Sequence, residues 1–150
     1  MLLDEVLKYY ADQDCNCAES LLHGANDYYN LGLTDDTFHA IGGFGGGCYS
    51  GRLCGACAGS VAAISKKYIA TYAHNEQKAC DRVTAFVSAF QETLGSDICK
   101  ELKDMYWDNE TNKHCIKTVT LAAGVLQKQM DKYIAEDEAE AKEEEAKEEA

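Results

Sequence analysis

Eight cysteines, at positions 15, 17, 48, 54, 57, 80, 99 and 115, are the side chains best able to do chemistry in this sequence of 150 residues. The start of the chain, Met1-Leu2-Leu3-Asp4-Glu5, places acids where an export signal needs basic and apolar residues. The expected address is therefore the cytoplasm, where thiols stay reduced, and metal binding or redox chemistry takes precedence over a disulfide framework. Cys54-Gly55-Ala56-Cys57 is a CxxC, but the second half of a zinc ribbon is missing, and Ala58 stands where c-type haem attachment needs histidine. Taken singly, Cys15, Cys48, Cys57 and Cys80 read most simply as small buried hydrophobes. His23, His39, His74 and His114 lack metalloprotease spacing, and His114 beside Cys115 reads as a surface residue at a helix start. Around Gly43-Phe44-Gly45 there is neither a preceding strand nor a following Gly-Lys-Ser or Gly-Lys-Thr, so phosphate binding is not expected.

The elements that must position these thiols are helices. There is no proline, and apolar residues recur at three- and four-residue steps, which predicts an all-α, single-domain bundle of about six to seven helices. The first spans Leu2 to Tyr10. Asn16, with Glu19 three residues on, forms a capping box for the second, which buries Ala18, Leu21, Leu22, Ala25 and Tyr28 or Tyr29. Thr34, Asp35 and Asp36 open a short third helix through Ile41. A glycine-rich loop, Gly42 to Gly51, precedes the central helix, which is expected from Cys54 to Tyr72 with Val61, Ile64, Tyr68 and Tyr72 as its apolar line. A fifth, from about Glu76 to Leu94, buries Val83, Phe86, Val87 and Phe90 and ends at Gly95. A short helix capped by Ser96 carries Cys99, and a last one capped by Asn112 carries Cys115. Its seam of Ile116, Val119, Ala123, Leu126, Met130 and Tyr133 must meet another helix, within the chain or across a homodimer.

On this map Cys17 and Cys54 open helices, while Cys99 and Cys115 fall at the third helical position. Thiols at helix N-termini face unsatisfied N–H groups and the positive end of the dipole, which favour the thiolate that reacts or binds metal. Four such thiolates could hold an iron–sulfur centre, with amides of the glycine loop reaching its sulfurs.

Charge narrows the partners. The net charge is −12, of which residues 135–150, AEDEAEAKEEEAKEEA, carry −7. The chain divides into a cysteine-bearing domain, 1–134, and an acidic, low-complexity tail, 135–150, helical or disordered, that lacks large apolar residues with which to pack. No basic stripe suits nucleic acid, and no segment reaches the length of a membrane span.

The sequence resembles the family of redox-active proteins named for the pattern C_GCAxxG_C_C. The resemblance rests on Cys54-Gly55-Ala56-Cys57-Ala58-Gly59, on Asn16-Cys17-Ala18, on Phe44-Gly45-Gly46-Gly47, and on Phe90 through Gly95-Ser96 leading to Cys99, with Cys115 completing the set. It covers about residues 1 to 134. It implies that Cys17, Cys54, Cys99 and Cys115 are the functional thiols, with Cys57 at a variable position and Cys15, Cys48 and Cys80 as extras. On this basis the four thiols are expected to ligate an iron–sulfur cluster, most simply a two-iron one, with Gly45, Gly46, Gly47 and Gly55 around it, for electron transfer or redox sensing with a partner protein. Two alternatives stand beside it. One is cluster-free thiol–disulfide chemistry, an oxidoreductase or sensor in which Cys54 pairs with Cys99 or Cys115. The other is a structural zinc site in a helical interaction protein.

Overall fold

The computed structural model describes residues 1–150 as seven α-helices without strands, a helical bundle. They are α1 (Leu2–Tyr10), α2 (Cys17–Tyr29), α3 (Asp35–Ile41), α4 (Gly55–Tyr68), α5 (Gln77–Leu94), α6 (Cys99–Tyr106) and α7 (Ile116–Glu149). α1 packs along α2, α2 along α4, and α7 crosses α1, α4 and α5. The predicted seam of α7 is filled within the chain, because Val119, Ala123, Leu126, Met130 and Tyr133 are all buried in one core with Phe86, Phe90 and Leu94 of α5. The stripe read on α2 is also in that core, through Ala18, Leu21, Leu22 and Ala25, whereas Tyr28 is exposed and Tyr29 only partly covered. α2 and α4 approach so closely that a Cβ on Gly59 would lie 2.4 Å from the Ala18 carbonyl oxygen, which is why small residues fill the first turns of α4.

The capping box on α2 forms as read: Asn16 Oδ1 accepts the Glu19 N–H at 3.0 Å and Glu19 Oε1 accepts the Asn16 N–H at 3.0 Å. α5 stops at Gly95, which is left-handed at φ +90°. Three boundaries differ from the sequence reading. α4 ends at Tyr68 rather than Tyr72, whose ring is 76% exposed. Tyr68 is the last anchor, set edge-on to Tyr133 with the Arg82 guanidinium 4.4 Å from its ring centre. α6 begins at Cys99 and not at Ser96, because the preceding backbone is taken up by an antiparallel bridge between Leu53 and Ile98. Across it Cys54 N–H donates to the Asp97 carbonyl at 2.7 Å and Cys99 N–H to the Arg52 carbonyl at 2.6 Å. α7 begins after Cys115, since the Asp108 N–H donates to the His114 carbonyl and closes the preceding loop as a turn of its own.

α7 continues unbroken through the acidic segment to Glu149. The start of that segment is held: Arg82, 6% exposed, donates to both carboxylate oxygens of Asp137 at 2.7 and 3.0 Å and to the Tyr133 carbonyl at 3.3 Å. Lys78 adds Asp137 and Glu140. The acidic segment, which lacks large apolar residues with which to pack, thus includes a polar clamp between α5 and α7. No helix is long and apolar enough to cross a membrane.

Candidate functional site

All four predicted thiols stand at helix N-termini. Cys17 and Cys99 are the first residues of α2 and α6, and Cys54 and Cys115 are the residues that precede the first turns of α4 and α7. The third-position placement read for Cys99 and Cys115 is thereby corrected to the very start of each helix. The four line a single cavity of about 30 Å³ with Gly46, Gly55, Leu102 and Lys103 among its walls. Larger surface grooves, such as the one of about 340 Å³ between Leu3, Gly124 and Lys128, contain no cysteine or histidine.

The glycine loop is shaped around this cavity. Gly46, Gly47, Cys48 and Tyr49 run consecutively in the left-handed region, at φ +59°, +63°, +60° and +49°. For the two residues with a Cβ this costs ~1–2 kcal/mol each. Asn16 offsets part of that cost, since its Nδ2 donates to the Gly42 carbonyl at 2.8 Å and to the Tyr49 hydroxyl at 3.1 Å. The same side chain therefore caps α2 and ties down the loop beside Cys17. Of the four glycines expected at the site, Gly46 and Gly55 line the cavity. Gly45 lies against Asn16 instead, and Gly47 against Arg52 and the Cβ of Cys99, so these two support the wall without forming it.

Burial, and not the helix N-terminus, dominates the electrostatics. Loss of water pushes the Cys54 thiol up to about 12, with the nearby Cys17 adding to the rise and the Cys57 and Ala56 N–H groups opposing it. Burial also raises Cys17 against the N–H groups of Gly46, Ala18 and Cys17 itself. It raises Cys115 too, with Cys17 adding to the effect and the Lys103 ammonium and the Tyr10 hydroxyl opposing it. The expectation of depressed thiol acidity constants at these helix starts is corrected accordingly. The neighbouring N–H groups offset desolvation only in part. At neutral pH these three thiols hold their protons, and a cationic centre would have to displace them.

The remaining cysteines lie outside the cavity. Cys57 is fully buried in the core, pushed up to about 12 first by burial and then by Asp97. Cys48 is exposed, and Cys15 and Cys80 are half-buried. Nowhere do three or more His, Cys, Asp or Glu side chains stand close enough together to hold a metal ion as they are.

Two residues at the site escaped the sequence reading. Tyr10 looks like the last apolar position of α1, after Leu2 and Val6, yet its hydroxyl accepts the Cys115 N–H at 2.9 Å. Nothing in the spacing marks that role. Lys103 had a signal available, because it follows Cys99 by four residues on α6 and so shares its face. His114 stacks on Trp107 with ring centres 4.3 Å apart and its Nδ1 lies 2.7 Å from the Asp108 carbonyl oxygen, away from the thiols.

The family model described as "Putative redox-active protein (C_GCAxxG_C_C)" matches residues 15–129, a span that contains all four cavity cysteines. Neither the curated proteins nor the solved structures returned a match. From Cys15 to Gln129, this chain belongs to the C_GCAxxG_C_C family of redox-active proteins.

Proposed function

We propose that Cys17, Cys54, Cys99 and Cys115 ligate an iron–sulfur cluster, most simply a two-iron one, through which the protein transfers electrons or senses redox state. One observation carries this reading: four thiols from four separate helix starts line the same small cavity. The donor chemistry fits the group. Four thiolates around a cluster leave net negative charge, and the N–H groups of Gly46, Ala18, Ala56 and Cys57, which favour the charged form of Cys17 and Cys54, are suited to stabilise it. When bound, such a cluster supplies one-electron chemistry; the chain supplies ligands, dipoles and a shield from water, with Cys54 and Cys99 only 4% and 7% exposed. The site lies in residues 1–134, and the acidic extension of α7 takes no part in it. A redox partner would approach over the apolar side chains bordering the cysteine segments, Phe44, Leu53, Ile98 and Trp107, each about two-fifths exposed.

Burial counts against the thiol–disulfide alternative. Exchange with an outside disulfide needs an accessible thiolate, and Cys54 is buried and protonated at neutral pH. Zinc would use the same donors, and composition separates it from iron. The test is purification without oxygen followed by iron, zinc and sulfide analysis and a visible spectrum. Iron and sulfide with a visible band that bleaches on reduction, all lost in Cys54→Ser, are the expected result. Protein holding neither iron nor sulfide after reconstitution overturns the proposal.

A further inference from the structure

The end of the bundle that holds the cysteine cavity also gathers apolar side chains that the fold leaves uncovered. Nine large apolar side chains are exposed in the chain, and five of them, Phe44, Tyr49, Leu53, Ile98 and Trp107, stand on the segments around the cavity. Leu53 and Ile98 are paired in the bridge beside Cys54 and Cys99. Asn16, next to Cys17, ties down the Tyr49 hydroxyl at 3.1 Å. Lys103, from the cavity wall, holds its ammonium 5.5 Å from the centre of the Trp107 ring.

The free charges bordering this patch are mostly cationic, in a chain of net charge −12. Arg52, Lys100 and Lys103 are exposed, and none of them is in an ion pair. Residues 42–58 contain no acid. Of the acids between Gly95 and Trp107, Asp97 is engaged by the Gln91 side chain at 2.9 Å and Glu101 by the Ser96 hydroxyl, which leaves Asp104 uncommitted. The strongest negative charge, −7, lies in residues 135–150. At 1.5 Å per helical residue, Ala135 stands about 30 Å along α7 from Cys115, roughly three Debye lengths in 0.1 M salt. An apolar centre bordered by cations is complementary to a partner whose own apolar contact is bordered by carboxylates.

We infer that this end of the bundle is the docking face for an acidic one-electron carrier protein, seated on Phe44, Tyr49, Leu53, Ile98 and Trp107 and oriented by Arg52, Lys100 and Lys103. The inference deepens the cluster reading and rests on it for the electron that passes. The carrier loses one electron and the centre gains it, or the reverse, and no bond forms or breaks. A small, transient contact suits such an exchange. With acids at the far end of α7 and cations at the near end, the chain is a dipole that turns its cysteine end toward this partner.

Two probes test the inference. Hexacyanochromate(III), a paramagnetic trianion, is titrated into cluster-free, reduced protein at low salt. The amide signals of Gly51, Arg52, Lys100 and Lys103 broaden first, and this selectivity disappears in the Arg52→Gln/Lys100→Gln double variant. The second probe is an acidic two-iron ferredoxin. It shifts the same amides in cluster-free protein, and its electron exchange with loaded protein slows at least about tenfold in the double variant. Lys66→Gln/Lys67→Gln, which removes exposed cations at the end of α4, changes neither readout. Broadening spread over all lysines, or an exchange rate that the Arg52 and Lys100 changes leave untouched, overturns the docking face. Salt-sensitive self-association in sedimentation, lost in the same double variant, makes a second copy's acidic extension the occupant and overturns the carrier. If no iron and sulfide load, the cluster reading falls with the electron step, while the two titrations of cluster-free protein still decide whether this face takes an acidic partner.

Discussion

Gly55 is where the start of α4 meets Cys17, and replacing it with alanine puts a methyl group into the wall of the cavity. A Cβ built there lies 2.5 Å from Cys17 Sγ, 2.8 Å from the Phe44 carbonyl oxygen and 3.1 Å from Gly45 Cα. Non-bonded carbons rest at ~3.5–4.0 Å, so the overlap with the sulfur is about 1 Å. Two of the three neighbours are main chain of a loop already held by Asn16, and the third is a proposed ligand, so relief must come at the expense of the site. Overpacking of this kind costs ~1–3 kcal/mol, against a helix-propensity gain for alanine over glycine that is at most ~1 kcal/mol and smaller in a first turn. Taking the net cost as ~1–2 kcal/mol, at ~2–4 °C per kcal/mol for a chain of this size, Gly55→Ala should lower the melting temperature by about 2–8 °C. It should also reduce the iron retained per chain. Gly124→Ala is the matched comparison, since that glycine lies within α7 with nothing within 4 Å of its Cβ position, and it should gain ~0.5–1 kcal/mol. Differential scanning calorimetry with iron analysis reads both. Equal or higher stability of Gly55→Ala with full iron retention would refute the claim that glycine is needed there for contact with Cys17.

Asn16→Ala removes both the cap of α2 and the tether of the left-handed turn, and should cost ~1–3 kcal/mol by denaturant melts, with amide protection lost selectively over residues 46–52. Asp137→Asn breaks the clamp on buried Arg82 and should cost ~1–2 kcal/mol at neutral pH, between the ~0.2–1 kcal/mol of exposed pairs and the ~3–5 kcal/mol of buried ones, because Arg82 is 6% and Asp137 41% exposed. The Arg82 guanidinium, and then Lys78, hold the Asp137 carboxyl at about 2 against its ordinary 3.8. A depressed folded-state value gives stability that is fully present above about pH 4 and is lost as the pH falls toward 2, so wild type and Asp137→Asn should converge in stability across that window.

Helix content was largely legible because it follows from periodicity and caps within a few residues of each other. Asn16 with Glu19, Gly95 after Leu94, and the three- and four-residue steps of α7 all mark what the backbone does locally. The errors arose where a distant segment supplied the deciding bond. Ser96 is a sound cap on paper, but the Leu53–Ile98 bridge claims the backbone before Cys99, and Asn112 yields to the turn closed between Asp108 and His114. That Cys17, Cys54, Cys99 and Cys115 share one cavity was foreshadowed by their helix starts and by the resemblance. The state of its thiols was not, because desolvation depends on what α1, α6 and α7 bring around them. Tyr10 shows the same limit: an apolar-stripe tyrosine and one that bonds a cysteine 105 residues away are identical in sequence.

On the proposed function, Cys17, Cys54, Cys99 and Cys115 act as one site and the other cysteines do not. Its most direct test is iron and sulfide content, under anaerobic reconstitution, of eight single Cys→Ser variants, one for each cysteine in the chain. Both should be lost in the four cavity variants and retained in Cys15→Ser, Cys48→Ser, Cys57→Ser and Cys80→Ser. Retention in any cavity variant with loss in Cys57→Ser, the other half of the CxxC, would contradict it.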